Sequence, residues 1–123
     1  MIRGLGCDVC AISRMQKMME NPRFLARHFT EYEQAYLAGR KTAAQSAAGF
    51  FAAKEALVKA LGTGFIGLMP GDIGVRHDEN GAPCYEMGEK LAQALAARGA
   101  RRAFLSISHD GDTAMAVALL EGD

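Results

Sequence analysis

The longest uninterrupted apolar pattern in the chain runs from Ala47 to Leu61. It is built almost entirely of Ala, Phe, Leu and Val, and its only charges are Lys54, Glu55 and Lys59. Good helix formers dominate it, and Gly62 stands just past the last periodic residue as a stop signal, so the pattern predicts one long helix from about Thr42 to Gly62. A helix apolar nearly all round is a buried one. A charge placed there must be paired, bound to a metal or at the edge of a site. Glu55 and Lys59, four residues apart, share a face with Phe51 one turn before and Gly62 nearly one turn after. The simplest alternative is an i,i+4 ion pair on a partly exposed strip.

The remaining pattern divides into short elements. Ile2 to Val9 reads as a core strand with Asp8 near its exit. Ser13-Arg-Met-Gln16 resembles a capping box opening a helix striped by Met15, Met18 and Met19. Asn21-Pro22 breaks it and starts another, which turns Phe24, Leu25 and Phe29 inward and leaves Arg23 and Arg27 together at i,i+4 spacing. Thr30-Glu-Tyr-Glu33 is a capping box for a third short helix ending near Gly39. Arg40-Lys41 follows in the connection, and Thr42-Ala-Ala-Gln45 reads as the cap of the long helix.

After the glycine-rich stretch Gly62-Thr-Gly64, two strands (72–77 and 82–87) flank the hairpin signal Asn80-Gly81. A helix over Glu89–Arg98 covers the sheet, and strands Ala103–Ser108 and Thr113–Leu120 are joined across His109–Asp112. The order β-α-α-α-β-β-α-β-β predicts an α+β fold: a mostly antiparallel sheet packed with one long buried helix and shorter helices. With 123 residues and no linker or repeat, residues 1–123 are expected to form a single domain.

Composition narrows the function. The net charge is zero, which argues against general nucleic-acid binding, and no run approaches the ~20 apolar residues of a membrane span. The N-terminus lacks a signal-peptide pattern, so a cytoplasmic location is expected. The charge is uneven, however: residues 1–41 hold seven Lys/Arg against four Asp/Glu, giving +3, and residues 42–123 hold seven against ten, giving −3. A basic front half points to an acidic partner. Cys7 and Cys10 have C-x-x-C spacing inside a predicted strand, where they face opposite ways. With only Cys84 besides, they read as free thiols.

Asp8, Glu55 and His109 are polar groups at the ends of apolar elements. Two carboxylates with a lysine one turn beyond suit an oxygen-ligated magnesium beside a phosphate. His109, at the mouth of a hairpin, suits a phosphate contact or a general base. The Gly62-Thr63-Gly64 backbone lets amide groups approach a phosphate. Taken singly, each residue has a plainer reading: Asp8 as a helix cap, Glu55 in an ion pair, His109 as a turn residue.

Five ordered motifs carry a resemblance. Gly6-x-Asp8 with Ile12-x-Arg14, then Arg23-Phe-x-x-Arg27-x-Phe-Thr30-x-x-Glu33, are followed by Phe51-Ala-Ala-Lys-Glu-Ala56 with Lys59-Ala-Leu-Gly-Thr-Gly64. Asp78-x-x-Gly81-x-Pro83 and Ile107-Ser-His-Asp110 complete the series. Together they resemble the bacterial holo-(acyl-carrier-protein) synthases, the small 4′-phosphopantetheinyl transferases, from about Arg3 to Leu119.

The resemblance implies transfer of the phosphopantetheine arm of coenzyme A to a serine of apo acyl carrier protein, with release of adenosine 3′,5′-bisphosphate. It also implies that Asp8 and Glu55 hold Mg2+ and act with Lys59 as the catalytic group. Lys41, Lys59, Gly62, Thr63, Gly64, Pro83, Ser108 and His109 would bind the cofactor. Arg14, Arg23 and Arg27 would receive the acidic helix of the carrier, and a homotrimer would share its sites between subunits. The carrier could serve fatty acid, polyketide or another synthesis. One position departs from the family, which commonly has arginine where this chain has Phe50, with Arg40 or Lys41 as possible compensation. The alternatives are a non-catalytic carrier-binding module and a metal-dependent phosphohydrolase.

Overall fold

The computed structural model describes residues 1–64 and 67–123. The chain runs β1 (Ile2–Ala11), α1 (Ile12–Met18), α2 (Pro22–His28), α3 (Glu31–Leu37) and α4 (Ala43–Leu61). A short 3-10 turn (Pro70–Asp72), β2 (Gly74–His77), β3 (Pro83–Glu86), α5 (Glu89–Ala97), β4 (Arg102–Asp110) and β5 (Thr113–Glu121) follow. The expected α+β architecture is present: β1, β5 and β4 form one antiparallel sheet in that order, and β2 and β3 form a second antiparallel pair. No helix among the described residues is long and apolar enough to cross a membrane.

The core lies between α4 and the three-stranded sheet, and small residues set its depth. Ala114, Ala116 and Ala118 of β5 and Ala52, Ala53, Ala56 and Ala60 of α4 are buried. In β1 the inward positions are Gly4 and Gly6. A methyl group at Gly6 would fall on the carbonyl oxygen of Ala56 and within 2.7 Å of the Ala60 nitrogen, so only glycine lets the strand lie this close to the helix. Strand alternation then aims Asp8, two residues on, at the same helix. Gly62, at φ 76°, ends α4 in the left-handed conformation and donates its N–H to Val58 and Lys59 carbonyls.

The second organising contact is a buried ion pair. Lys54 Nζ lies 2.7 Å from Glu33 Oε1, with both side chains essentially inaccessible. The ammonium also donates to the carbonyls of Pro70 and Ile73, both at 2.9 Å. Glu33 in turn accepts from Thr30 N and Val75 N, so every strong donor and acceptor of the pair is used. The pair ties α3, α4 and the start of β2 together. Burial pulls the Lys54 pKa below its usual value, with Glu33 opposing that shift.

Some local expectations change. The Thr30–Glu33 capping box forms. The one expected at Ser13–Gln16 does not: the N-cap of α1 is Ala11, and Asp112, at the tip of the β4–β5 hairpin, accepts from Ser13 N at 2.9 Å and Ser13 Oγ at 2.6 Å. A carboxylate brought in from the other end of the chain satisfies the helix N-terminus in place of a local side chain. Thr42 is the N-cap of α4 but makes no side-chain capping bond. The β2–β3 hairpin is closed by Asp78, whose carboxylate accepts from Asn80 N and Ala82 N, while only Gly81 is left-handed. Cys7 is exposed and Cys10 buried, on opposite strand faces, and both are free, as is Cys84.

Candidate functional site

Asp8 of β1 and Glu55 and Lys59 of α4 converge at the open edge of the β1–α4 interface. Lys59 Nζ lies 2.8 Å from Asp8 Oδ1, so the partner of Lys59 is the strand aspartate rather than Glu55 one turn away. The Asp8 hydrogen bond raises the pKa of the exposed Lys59 ammonium. Glu55 is also raised, first by burial and then by the negative charge of Asp8, with Lys59 and His28 acting in the opposite direction. Burial and the neighbouring Asp8 charge thus disfavour ionisation of Glu55, as in a site short of positive charge. The described residues contain no cluster of three or more His, Cys, Asp or Glu suited to a metal. Two carboxylates alone still fit magnesium, which takes one or two protein oxygens and completes its octahedron with water and substrate phosphate.

The glycine stretch is at the same end of α4. Gly62, Thr63 and Gly64 are exposed directly beyond Lys59. On the other side, Glu55 borders an aromatic group that sequence reasoning did not single out. His28 stacks on Phe24 at 4.5 Å, and both rings lie near Phe51, at 6.1 and 6.2 Å. The His28 Nδ1–H donates to the Phe24 carbonyl, which fixes the ring. A motif search overlooks this residue because its position sits between Arg27 and Phe29 and only the tertiary fold turns it toward Glu55.

Arg23 and Arg27 lie on the same helix as His28, α2, and Arg14 and Lys17 lie on α1. All four are exposed, and none forms an ion pair among the described residues. By contrast, the cations paired on the surface are Lys59, Lys90, Arg76, Arg101 and Arg102, all in the acidic part of the chain. The unpaired cations of α1 and α2, part of the front-half surplus, are therefore open to a partner.

Pro83 and His109 lie elsewhere. They line a pocket of about 300 Å3 together with Tyr36, Gln45, Phe50 and His77. His109 lies within β4, opposite Ala114, because the hairpin turn is confined to Gly111–Asp112; its Nε2 is 3.0 Å from Gln45 Nε2. Ser108 faces the opposite side of the sheet. Lys41 is exposed in the α3–α4 connection. Ser46, which also lines this pocket, precedes Glu55 by nine residues on one helix, about 14 Å along the axis and half a turn around it. One chain thus presents two partial sites on opposite flanks of α4.

The outer face of the three-stranded sheet carries a third feature. Leu5 (65% exposed), Val9 (66%), Phe104 (50%) and Met115 (36%) lie on it, and register places Leu5, Leu119 and Phe104 in one row. That is a contiguous apolar surface of the kind that marks an interface.

The chain is similar to known proteins over nearly its whole length. The family model described as the 4′-phosphopantetheinyl transferase superfamily matches residues 4–118. The chain is 43% identical to the holo-[acyl-carrier-protein] synthase of Treponema denticola over 123 residues, covering 99% of this chain and 100% of that one. The crystal structure of holo-[acyl-carrier-protein] synthase from Neisseria meningitidis superposes with a TM-score of 0.90 at 33% identity, covering 98% of this chain and 99% of that one. The Bacillus anthracis synthase, solved in complex with CoA (3′,5′-ADP), superposes at 0.83 with 36% identity, covering 100% and 99%.

Proposed function

This chain belongs to the 4′-phosphopantetheinyl transferase superfamily, and we propose that it acts as a holo-(acyl-carrier-protein) synthase over its 123 residues as one domain. It transfers phosphopantetheine from coenzyme A to a serine of apo acyl carrier protein and releases adenosine 3′,5′-bisphosphate. The observation that carries this reading is the meeting of Asp8, Glu55 and Lys59 beside an unpaired basic surface.

Asp8 and Glu55 would hold Mg2+, which when bound would supply charge neutralisation for the phosphates of coenzyme A. Lys59 stays protonated and faces the charge that develops on the leaving phosphate. Gly62, Thr63 and Gly64 follow Lys59 along the cofactor; the Gly62 N–H closes the helix end, which leaves Thr63 and Gly64 to offer backbone N–H groups. The carrier serine must lose its proton to attack phosphorus. Glu55, raised above an ordinary glutamate, accepts it, directly or through a water.

Arg14, Arg23 and Arg27 receive the acidic helix of the carrier, and their closeness to Glu55 through His28 delivers the serine to the chemistry. The partial site at Pro83 and His109, on the opposite flank of α4, completes the site of an adjacent subunit; Ser108, on the outer face of the sheet, is not part of it. A homotrimer closed through Leu5, Val9, Phe104 and Met115 satisfies both that geometry and the apolar surface. Sedimentation velocity giving a monomer would refute the trimer. The location is cytoplasmic, where carrier and coenzyme A are both present.

The direct test is mass spectrometry of an apo acyl carrier protein incubated with this protein, coenzyme A and magnesium. The carrier gains one phosphopantetheine, roughly 340 Da by its composition. The gain disappears with Glu55→Ala or with chelator. Carrier that is bound but unmodified would refute the transferase reading in favour of a binding module.

A further inference from the structure

The tip of the β4–β5 hairpin grips the first turn of α1. Register sets Ala11, the last residue of β1, opposite Thr113, so Asp112 stands beside the point where α1 begins. Three hydrogen bonds join the two segments. The Asp112 carboxylate accepts from Ser13 N at 2.9 Å and from Ser13 Oγ at 2.6 Å, and the Asp112 carbonyl accepts from Ile12 N at 2.8 Å. Gly111, at φ 56°, makes the tight turn that directs Asp112 back toward α1.

Helix α1 needs such an anchor. It has seven residues, too few to hold by propensity, and its N-cap Ala11 supplies no side-chain bond. Met15 is its one buried residue, with Ile12 and Met18 partly buried against the core. A helix seated on so little can swing about that contact, and bonds at its first turn remove the freedom. Arg14 follows Ser13 directly, and Ser13, Arg14 and Lys17 line one hollow. None of the ion pairs among the described residues includes Arg14, Lys17 or Asp112. The carboxylate is committed to Ser13, so it fixes the helix without neutralising the cations beside it.

We propose that Asp112 is a positioning residue for carrier recognition: it sets the first turn of α1 so that Arg14 and Lys17 meet the acidic carrier at a fixed angle to the strand bearing Asp8. The assignment rests on reading Arg14 as part of the carrier surface. Asp112 acts through α1, and its contribution is preorganisation, since ordering a loose helix on binding would consume affinity. The same hairpin carries His109 on β4. If its tip merely held the hairpin in shape, coenzyme A binding would weaken along with carrier binding.

The test measures KM for apo carrier and for coenzyme A in three variants, with thermal unfolding as the check on folding. Asp112→Ala raises carrier KM about tenfold and leaves kcat and KM for coenzyme A within about twofold. Asparagine still accepts from Ser13 N, so Asp112→Asn stays within about threefold of the native carrier KM. Ser13→Ala, which removes one bond and disturbs the fold least, raises carrier KM about threefold. In an Arg14→Ala background Asp112→Ala adds less than about threefold, because a residue it positions is already gone. Equal losses for carrier and coenzyme A, a lowered melting temperature with unchanged carrier KM, or full additivity with Arg14→Ala would each overturn the assignment. Calorimetry of apo carrier binding without coenzyme A repeats the comparison without turnover. A native protein that binds carrier through Asp112 yet transfers nothing would sink the transferase reading and leave Asp112 standing.

Discussion

Lys54 and Glu33, twenty-one residues apart, form an ion pair at 2.7 Å in which the ammonium also reaches two backbone carbonyls. Lys54 is the residue immediately before Glu55. The pair therefore anchors the turn of α4 that presents Glu55, the carboxylate proposed to act in transfer.

Removing one partner strands the other in the core. Lys54→Met is expected to lower stability by about 3–5 kcal/mol, since an uncompensated buried carboxylate remains. Lys54→Met with Glu33→Gln recovers much of that loss. Urea unfolding of the native protein and the two variants measures both, and a loss below about 1 kcal/mol in the single variant would contradict the burial argument.

Gly6→Ala forces β1 away from the Ala56 carbonyl. Overpacking costs about 1–3 kcal/mol, and displacement of Asp8 from Lys59 removes transfer activity as well. Thermal unfolding and carrier modification should fall together. Full activity in a destabilised variant would show that the close approach does not position Asp8.

The raised pKa of Glu55 sets an acid limit on metal binding. Burial and Asp8 favour its protonated form, which cannot ligate a cation. As pH falls, magnesium affinity measured by calorimetry declines at a higher pH than an ordinary glutamate would dictate. A midpoint at or below the ordinary glutamate value would argue against the buried, paired environment.

His77 reports on Arg40. A positive neighbour disfavours a second positive charge, so Arg40→Gln should raise the His77 pKa toward the ordinary histidine value. An imidazole titration followed by NMR reads this directly. An unchanged midpoint would mean that the guanidinium does not stand near His77 in solution.

The basic surface should act on carrier recognition alone. Reversing Arg14, Arg23 and Arg27 to glutamate is expected to raise KM for the carrier at least tenfold while leaving KM for coenzyme A near wild type. Added salt reproduces the loss in the native protein. If coenzyme A binding suffers equally, those arginines serve the cofactor instead.

Much of this was legible in the linear pattern. The long apolar stretch with three charges forms α4 within one residue of its expected ends, because helix propensity and a glycine stop are local properties. The Thr30 capping box, the short helices and the β2–β3 and β4–β5 hairpins follow from local signals too. The front-half charge surplus survives as an unpaired surface because exposed arginines need nothing from the fold.

Other features depend on which distant segments meet. Ser13–Gln16 has the letters of a capping box, but Asp112 arrives across the fold and takes that role. Glu55 and Lys59 have ion-pair spacing, yet Gly6 brings Asp8 close enough to hold the lysine instead. Lys54 is one more charge in an apolar run until Glu33 closes on it. Tyr36, Phe50 and His77, from three elements, form one slot that no local spacing announces. Propensity and periodicity act over a few residues and are written in the chain. The pairing of buried charges and the shape of a site come from long-range packing, which only the tertiary structure decides.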